Sequence, residues 1–192
     1  RTVFDEYVSA KREAEASSEF IRIPENQGGR FGLSARGDVN TYAIFSELGI
    51  SLSSPRGRCG IIVPSGLATD STTKDLFGYL VESRRLRSFF EFENEGFFLG
   101  AGQGHMLRFS LTTISGKNDP LGPQERTVFL FQGKSVSDLQ DIQRIFYLSA
   151  DEIILFSPNS RTMPIFQSSF DAEIFGKIYR KVPVLVRDFE AV

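Results

Sequence analysis

The chain has 192 residues, of which 41% are hydrophobic and 24% are charged, a composition typical of a globular domain with a buried core. Lys and Arg number 22 against 24 Asp and Glu, and the formal charge of −2 excludes a strongly basic protein that coats nucleic acid. Because Cys59 is the only cysteine, an internal disulfide and a zinc site built from cysteines are excluded. We therefore expect a reducing, cytoplasmic location, and no apolar run reaches the roughly 20 residues that a membrane span needs.

The amino-terminal third of the chain predicts two helices with a loop between them. Thr2–Ser18 mixes charged residues with helix-forming alanines and predicts the first helix. Pro24–Gly37 holds four of the 17 glycines and predicts a loop. We expect the second helix to begin at Asp38 or Asn40, either of which is a good cap, and to end at Ser53.

The next region predicts a strand, a helix and a strand. Arg58–Pro64 is a short continuous apolar run, which is typical of a strand buried on both faces in a parallel sheet. A helix from Lys74 to Val81, capped by Asp70, should follow it, and Ser88–Phe92 predicts the next strand. This order indicates an α/β fold.

The remaining sequence predicts two further strands and a helical tail. His105–Ile114 alternates apolar and polar residues, Thr127–Phe131 is similar, and we expect these two strands to form an antiparallel pair. Beyond Gly133 the pattern favours three helices, over Ser135–Phe146, Ser149–Phe156 and Ser169–Arg180.

Two patterns suggest a chemical function, and each also has a simpler structural interpretation. Gly100–Gly104 looks like a nucleotide-binding glycine loop, but such a loop needs a helix after it, and the strand-like residues that follow favour a hairpin connection. Cys59 with His105, the single histidine, is a conceivable thiol nucleophile and base, although a thiol inside an apolar run is usually a small hydrophobe. No acidic cluster has a diagnostic spacing, so we expect no metal site.

A basic group precedes the predicted strand Ser88–Phe92. It consists of Arg84, Arg85 and Arg87. Such a group usually lies in solvent at a helix end, where the helix dipole favours cations. The alternative is contact with DNA phosphates, and Arg84 and Arg85 are our candidates for it.

Several strings together carry a resemblance to a known family. They are Gly37–Phe45, Gly60–Asp70, Phe92-Glu93-Asn94 followed by Phe97-Phe98, and in the tail Ser157-Pro158-Asn159 and Asp171-Ala172-Glu173. In this collinear order the chain resembles the later part of the catalytic domain of bacterial adenine-specific N6 DNA methyltransferases of restriction-modification and phage-defence systems.

The resemblance implies a partial class I, Rossmann-like methyltransferase sheet with flanking helices and a helical carboxyl-terminal tail. It implies that residues 1–133 are the later part of that α/β domain and residues 134–192 an extension that packs on it or leads to the next domain. The family's S-adenosylmethionine motif and its Asn-Pro-Pro-aromatic motif lie upstream, and neither occurs here. Because the chain also begins with Arg1, we expect a fragment that binds no donor alone and that works with an upstream half.

The same resemblance places an aromatic ring, just after the strand that ends in Glu-Asn, against a flipped adenine. Phe98 is the first candidate for this base-stacking role and Phe97 the second, with ordinary core packing as the alternative. His105 and Arg108 are candidates for contact with double-stranded DNA on the same rim.

The parental function implied is N6-adenine methylation of DNA, which this chain alone should not perform. One rival hypothesis is a non-catalytic DNA-binding or assembly module from a split methyltransferase gene. Other rivals are an unrelated small enzyme, against which the lack of a triad, metal cluster or phosphate loop counts, and an excised piece without activity of its own.

Overall fold

The computed structural model describes residues 2–94, 97–98 and 108–182. Helix α1, Val3–Ile21, begins at Thr2, whose hydroxyl caps the Asp5 amide in a reciprocal capping box. Helix α2, Thr41–Leu52, follows a loop that contains a short 3-10 turn. These two helices and the loop between them confirm the predictions for this region. In the part of the chain that the structure describes, no helix combines the length and apolarity of a transmembrane segment.

A five-stranded mixed sheet forms the centre of the fold. Its strands and the remaining helices are, in chain order, β1 Arg58–Pro64, α3 Gly66–Thr69, α4 Lys74–Glu82, β2 Leu86–Glu93, β3 Arg108–Ser115, β4 Thr127–Gly133, β5 Phe146–Leu148, α5 Ala150–Phe156 and α6 Ser169–Lys181. The spatial order is β1-β3-β2-β4-β5. Strand β3 is antiparallel to both β1 and β2, β2 is parallel to β4, and β5 is antiparallel to β4. Strands β1, β2 and β4 therefore run in one direction, and the α/β fold class is confirmed.

The prediction that β1 is buried on both faces of a parallel sheet is wrong. Strand β1 is an edge strand whose residues are mostly exposed, and its partner β3 is antiparallel. The side chain of Ile62 is 58% exposed, because no described residue covers that side of the strand.

The prediction that the strands around Phe109 and Phe129 pair with each other is also wrong. Strand β2 lies between β3 and β4 and hydrogen-bonds to both. Its apolar residues face both sides of the sheet, and a strand of that kind is stable in an interior position. Strands β3 and β4, which follow one another along the chain, are thus separated in the sheet by β2.

The helix predicted over Ser135–Phe146 is wrong as well. A 3-10 turn, Val136–Gln140, occupies the first part, and Phe146 begins strand β5. Arg144 explains the break, because its guanidinium binds the Asp138 carboxylate and the Phe131 and Gln132 carbonyls of β4. The segment after Gly133 therefore adds a strand to the sheet before its two helices, α5 and α6, begin.

The two faces of the sheet are covered differently. The helix-covered face holds the main core, in which the largest rings from the sheet are Phe89, Phe129, Phe131 and Phe146. The second face holds a smaller cluster of Phe92, Phe109 and Leu130. Directly paired residues of neighbouring strands share a face, so Phe92 and Phe109 lie side by side.

Candidate functional site

Strands β1, β2 and β4 end at the same side of the sheet, where β3 begins. We call this side the carboxyl edge and the opposite side the amino edge. In sheets with parallel strands, ligands bind outside the carboxyl ends of the strands. At the carboxyl edge the structure brings together the ends of four strands, with Ser65 after β1, Glu91 near the end of β2, Arg108 at the start of β3 and Gln132 on β4.

Four phenylalanine rings, Phe92, Phe97, Phe98 and Phe109, meet at this edge, and we call them the edge aromatic group. Phe109 stacks on Phe92 with ring centroids 5.8 Å apart, and both are buried. Phe97 contacts both of these rings, at 5.5 and 5.3 Å. Among the aromatic rings of the described residues, the Phe98 ring contacts that of Phe109 alone, edge-on, with ring centroids 5.0 Å apart. The rings therefore form a small stack that ends in Phe98.

Phe98 presents more free ring surface than Phe97. Its side chain is 48% exposed, against 36% for Phe97. The segment is held in place by Asn94, a buried residue that accepts a hydrogen bond from the Phe98 amide at 3.0 Å. An exposed ring on a fixed backbone loses little entropy when it stacks on a ligand, so the geometry favours Phe98 over Phe97 as a stacking surface.

A buried carboxyl group, that of Glu91, lies beside Phe92 along β2 but on the opposite face of the sheet from these rings. Glu91 is 1% exposed, and this burial raises the pKa of its carboxyl above the ordinary value. Hydrogen bonds from the Gln132 backbone amide and the Ser65 hydroxyl act to lower the pKa, as does the positive charge of Arg108. The Gln132 amide lies 3.3 Å from Oε1 of Glu91. Gln132 has a φ of 55°, in the left-handed region, at the irregularity where β2 and β4 shift register. Glu91 thus ties together the ends of β1, β2, β3 and β4.

Arg108 reaches from β3 to the acidic residues of β2. Its guanidinium lies 3.6 Å from the Glu91 carboxylate and 3.7 Å from that of Glu93. The side chain is 36% exposed, so it remains accessible to a ligand at the carboxyl edge. Arg108 therefore lies at the carboxyl edge with Glu91 and Glu93, on the face of the sheet opposite to that of Phe92 and Phe109.

The other basic candidates lie at the opposite end of β2. Arg85 and Phe92 are seven residues apart along an extended strand, which corresponds to about 23 Å. Arg84 is half-buried in the turn after α4, with a φ of 55°. Arg85 is 5% exposed and donates hydrogen bonds to Ser115, Tyr79 and Ile50. The structure therefore does not bring Arg84 and Arg85 together with Arg108.

Two further candidates from the sequence concern thiol and loop chemistry. His105 and the string Gly100–Gly104 lie outside the described residues. Cys59 is half-buried on β1, and its Sγ packs so closely on α2 that a Cβ added at Gly49 would lie 2.9 Å from it. Within residues 2–94, 97–98 and 108–182, no three His, Cys, Asp or Glu side chains group together as a metal site would require.

The sequence reasoning missed Glu91. The signal was present as a single carboxylate in the run Phe89-Phe90-Glu91-Phe92, because a charged residue among aromatic ones on a buried strand needs a partner. Its partners come from three other strands, which no local pattern reveals.

The described strand ends do not fit S-adenosylmethionine. In doubly wound folds, a nucleotide-like ligand is admitted against the backbone at a glycine turn. At Gly66, after β1, the space is filled by the Asp70 carboxylate and the Tyr42 hydroxyl, and at Gly133, at the end of β4, it is filled by the Phe92 ring. Both glycines pack against side chains of this chain, so neither turn is a cradle for a ligand.

Residues 7–98 match the family model of the Eco57I restriction-modification methylase. No curated protein matches the chain. The matched segment runs from within α1 through β2 and ends at Phe98, the last ring of the edge aromatic group. The match supports a methyltransferase-type domain and a restriction-modification origin for this region, and the tail strings around Asn159 and Asp171 lie beyond it.

Proposed function

We propose that this chain supplies the base-pocket wall and part of the DNA-facing surface of a site-specific DNA-adenine N6-methyltransferase of a restriction-modification or related defence system. The donor, S-adenosylmethionine, is bound by an upstream half of the same domain. The observation that carries the proposal is the exposed Phe98 ring at the carboxyl edge, at the end of the segment that matches the methylase family.

Stacking is the contribution that Phe98 makes in this proposal. An enzyme that acts on a base within duplex DNA must first rotate that base out of the helix, and it recovers part of the cost by stacking the base on an aromatic ring. Such a contact is worth about 1–3 kcal/mol per base. The Phe98 ring is backed by Phe109, and its backbone is fixed by Asn94, so the stacking surface is in place before the base arrives.

Phe98 alone does not make the adenine reactive. The exocyclic amine of adenine is a poor nucleophile, because its lone pair is delocalised into the ring. Acceptors that orient the amine toward the methyl group supply the main part of the catalysis, and in the proposal they belong to the Asn-Pro-Pro motif of the upstream half. The chain alone is therefore expected to hold a base without methylating it.

Arg108 and His105 provide the DNA contact in this proposal. Arg108 is accessible at the same edge of the sheet as Phe98, on the face opposite to that of Phe109, and a cation there fits a phosphate of the DNA backbone. Arg84 and Arg85 lie at the amino edge, so the structure does not support a joint role with Arg108 in one DNA contact.

A single-tryptophan variant tests the proposal, because the natural chain has no tryptophan. We expect a duplex with one unpaired adenine, which is the easiest base to rotate out, to quench the emission of Phe98→Trp saturably. The control is Phe4→Trp on α1, a residue 71% exposed and far along the chain from the carboxyl edge, whose emission should not change. If the duplex binds while both variants emit unchanged, Phe98 is not a stacking surface.

A second candidate function is an assembly module, and one observation favours it. Among the described residues, nothing pairs with the outer edge of β1, although an edge strand with free backbone groups is a ready template for another strand. Addition of an upstream half at this edge extends the sheet. The assembly hypothesis predicts that Ile62→Pro on β1 blocks association with the upstream half while duplex binding by the chain stays unchanged.

A further inference from the structure

A large cavity lies at the amino edge, away from the edge aromatic group. Its volume is about 730 Å³, which is within the range of pockets that hold small molecules. Its walls come from α2, α4, the loop between α1 and α2, and the turns that follow α2 and β3. The ionisable side chains that line it are those of Glu25, Arg30, Glu47, Tyr79, Arg85 and Lys117.

The most buried residue with a full positive charge in this wall is Arg85. Among the described residues, no carboxylate lies within 4.0 Å of its guanidinium. Its hydrogen bonds go to neutral groups, namely the Ser115 carbonyl at 2.7 Å, the Tyr79 hydroxyl at 3.0 Å and the Ile50 carbonyl at 3.4 Å. These bonds use three of the five N–H donors of an arginine side chain, so two remain.

Arg87, which lies on β2 two residues after Arg85, gives a contrast. It has the Asp119 carboxylate at 3.0 Å and the Glu125 carboxylate at 3.9 Å. A buried charge without a counterion is costly, and proteins normally balance it with a carboxylate or a bound ion. Arg85 instead lines an open cavity of ligand size.

The cavity carries both signs of charge, but its inner carboxylate is already engaged. Glu47 accepts hydrogen bonds from the Leu33 and Ser34 amides and the Ser34 hydroxyl, and so holds the preceding loop. At the mouth, the exposed side chains of Arg30 and Lys117 face one carboxylate, Glu25. The cations, Arg85 among them, therefore exceed the carboxylates by one, which favours a negatively charged ligand.

We propose that this cavity is a binding site for a small phosphate monoester, with Arg85 as the inner anchor and Lys117 and Arg30 at the mouth. A phosphate has three terminal oxygens that can meet three cationic groups at once, whereas a carboxylate has two. The Tyr79 ring in the cavity wall offers a surface for the organic part of the ligand. This site is independent of the function proposed for the carboxyl edge.

Calorimetric titration of the chain with inorganic phosphate, adenosine 5′-monophosphate and adenosine tests the proposal. We expect saturable binding of both phosphates and none of adenosine. Lys117→Gln, at an exposed position where the fold does not depend on it, should weaken binding about threefold, and Arg85→Gln about tenfold, which corresponds to about 1.4 kcal/mol. Lys177→Gln, which removes an exposed charge that lines another cavity, should leave the affinity unchanged.

Each other outcome overturns the proposal. Absence of saturable binding at concentrations up to about 10 mM would leave the cavity without a phosphate ligand. Equal weakening by Lys177→Gln and Lys117→Gln would mean a non-specific charge effect. If duplex DNA displaced the nucleotide and lost affinity in Lys117→Gln, the cavity would be part of a nucleic-acid contact and not a small-molecule site. Because Lys117→Gln keeps the fold, the test holds even if Arg85→Gln does not fold.

Discussion

The main aromatic core and the edge aromatic group are built from the same side chain but do different work. Phe89, Phe129 and Phe131 lie under the helices, no more than 1% exposed. At the carboxyl edge the series of rings runs outward from buried Phe92 and Phe109 to half-exposed Phe98. A fully buried ring stabilises the fold, because its apolar surface is removed from water on folding. A ring with an exposed face can still bury that face against a ligand.

This difference distinguishes, among the 19 phenylalanines, rings that stabilise the fold from rings that are available to a ligand. Composition alone does not separate the two groups, since both contain rings in close contact. The two groups differ in exposure, and the exposed ring of Phe98 also has a fixed backbone. The buried side chain of Asn94 accepts a hydrogen bond from the Phe98 amide and so holds this segment in place.

The largest effect is expected from Phe129→Ala in the main core. Removing a fully buried ring leaves a cavity and should lower the free energy of unfolding by about 3–5 kcal/mol. Urea unfolding followed by far-UV circular dichroism measures this loss. In the same assay Phe98→Ala should cost less than about 1 kcal/mol, because about half of its ring is already in water. A loss for Phe98→Ala as large as that for Phe129→Ala would make Phe98 an ordinary core residue.

The next effect concerns methyl transfer by the chain together with its upstream half. Loss of a stacking contact of about 1–3 kcal/mol should lower kcat/KM of Phe98→Ala by about fivefold to 150-fold. Phe97→Ala should have a smaller effect, because the Phe97 ring is less exposed and is engaged by two neighbours. An unchanged methylation rate in Phe98→Ala would remove this ring from the site.

A smaller, pH-dependent effect is expected from Glu91→Gln. Because burial raises the pKa of Glu91, the folded state favours the protonated form of this carboxyl. The protonated carboxyl therefore contributes to stability at pH values below the pKa that Glu91 has in the unfolded chain. This contribution is lost as the pH rises through the pKa that Glu91 has in the folded state. Glu91→Gln avoids that loss, so its stability relative to that of the natural chain should rise as the pH increases from acid to neutral. Thermal unfolding at a series of pH values measures the difference.

The matched control for this prediction is Glu93→Gln. Glu93 also faces Arg108 but is partly exposed, so its substitution should change stability little at any pH. A pH-independent difference for Glu91→Gln, or an equal gain for Glu93→Gln, would contradict the assignment of the buried carboxyl.

The smallest effect is expected from Arg108→Gln on DNA binding. Loss of one phosphate contact should lower the slope of log affinity against log salt by about 1 and weaken all sequences equally. Arg58→Gln serves as the control, since Arg58 is exposed at the amino end of β1 and forms a similar ion pair with Asp119. Equal salt slopes for Arg108→Gln and Arg58→Gln would mean that the DNA-facing surface does not lie at the carboxyl edge.

The elements whose signals are local could be predicted from the sequence. Caps and periodicity placed α1, α2, α5 and α6, and the residues at Ser149 and Ser168 cap their helices as such residues usually do. The pairing of strands could not be predicted in this way, because β2 lies between β3 and β4 through contacts far apart along the chain. The 3-10 turn before β5 likewise depends on Arg144 binding carbonyls of β4.

The candidate site was predicted in part. Phe98, Phe97 and Arg108 all lie at the carboxyl edge, because each is next to a strand end that the sequence marks, but Arg108 lies on the other face of the sheet. Glu91 was missed, since its importance comes from burial by four strands. Arg85 looked like a surface cation in the sequence, and its burial depends on Tyr79, Ser115 and the end of α2, which fold around it.

The most direct test of the account is a calorimetric titration of S-adenosylmethionine into the purified chain. The account holds that this chain carries the wall of the base pocket and no donor site, because the glycine turns after β1 and β4 are filled by its own side chains. It predicts no saturable heat at donor concentrations up to about 1 mM. Saturable binding of the donor to the chain alone would contradict it, because the chain would then hold a donor site of its own.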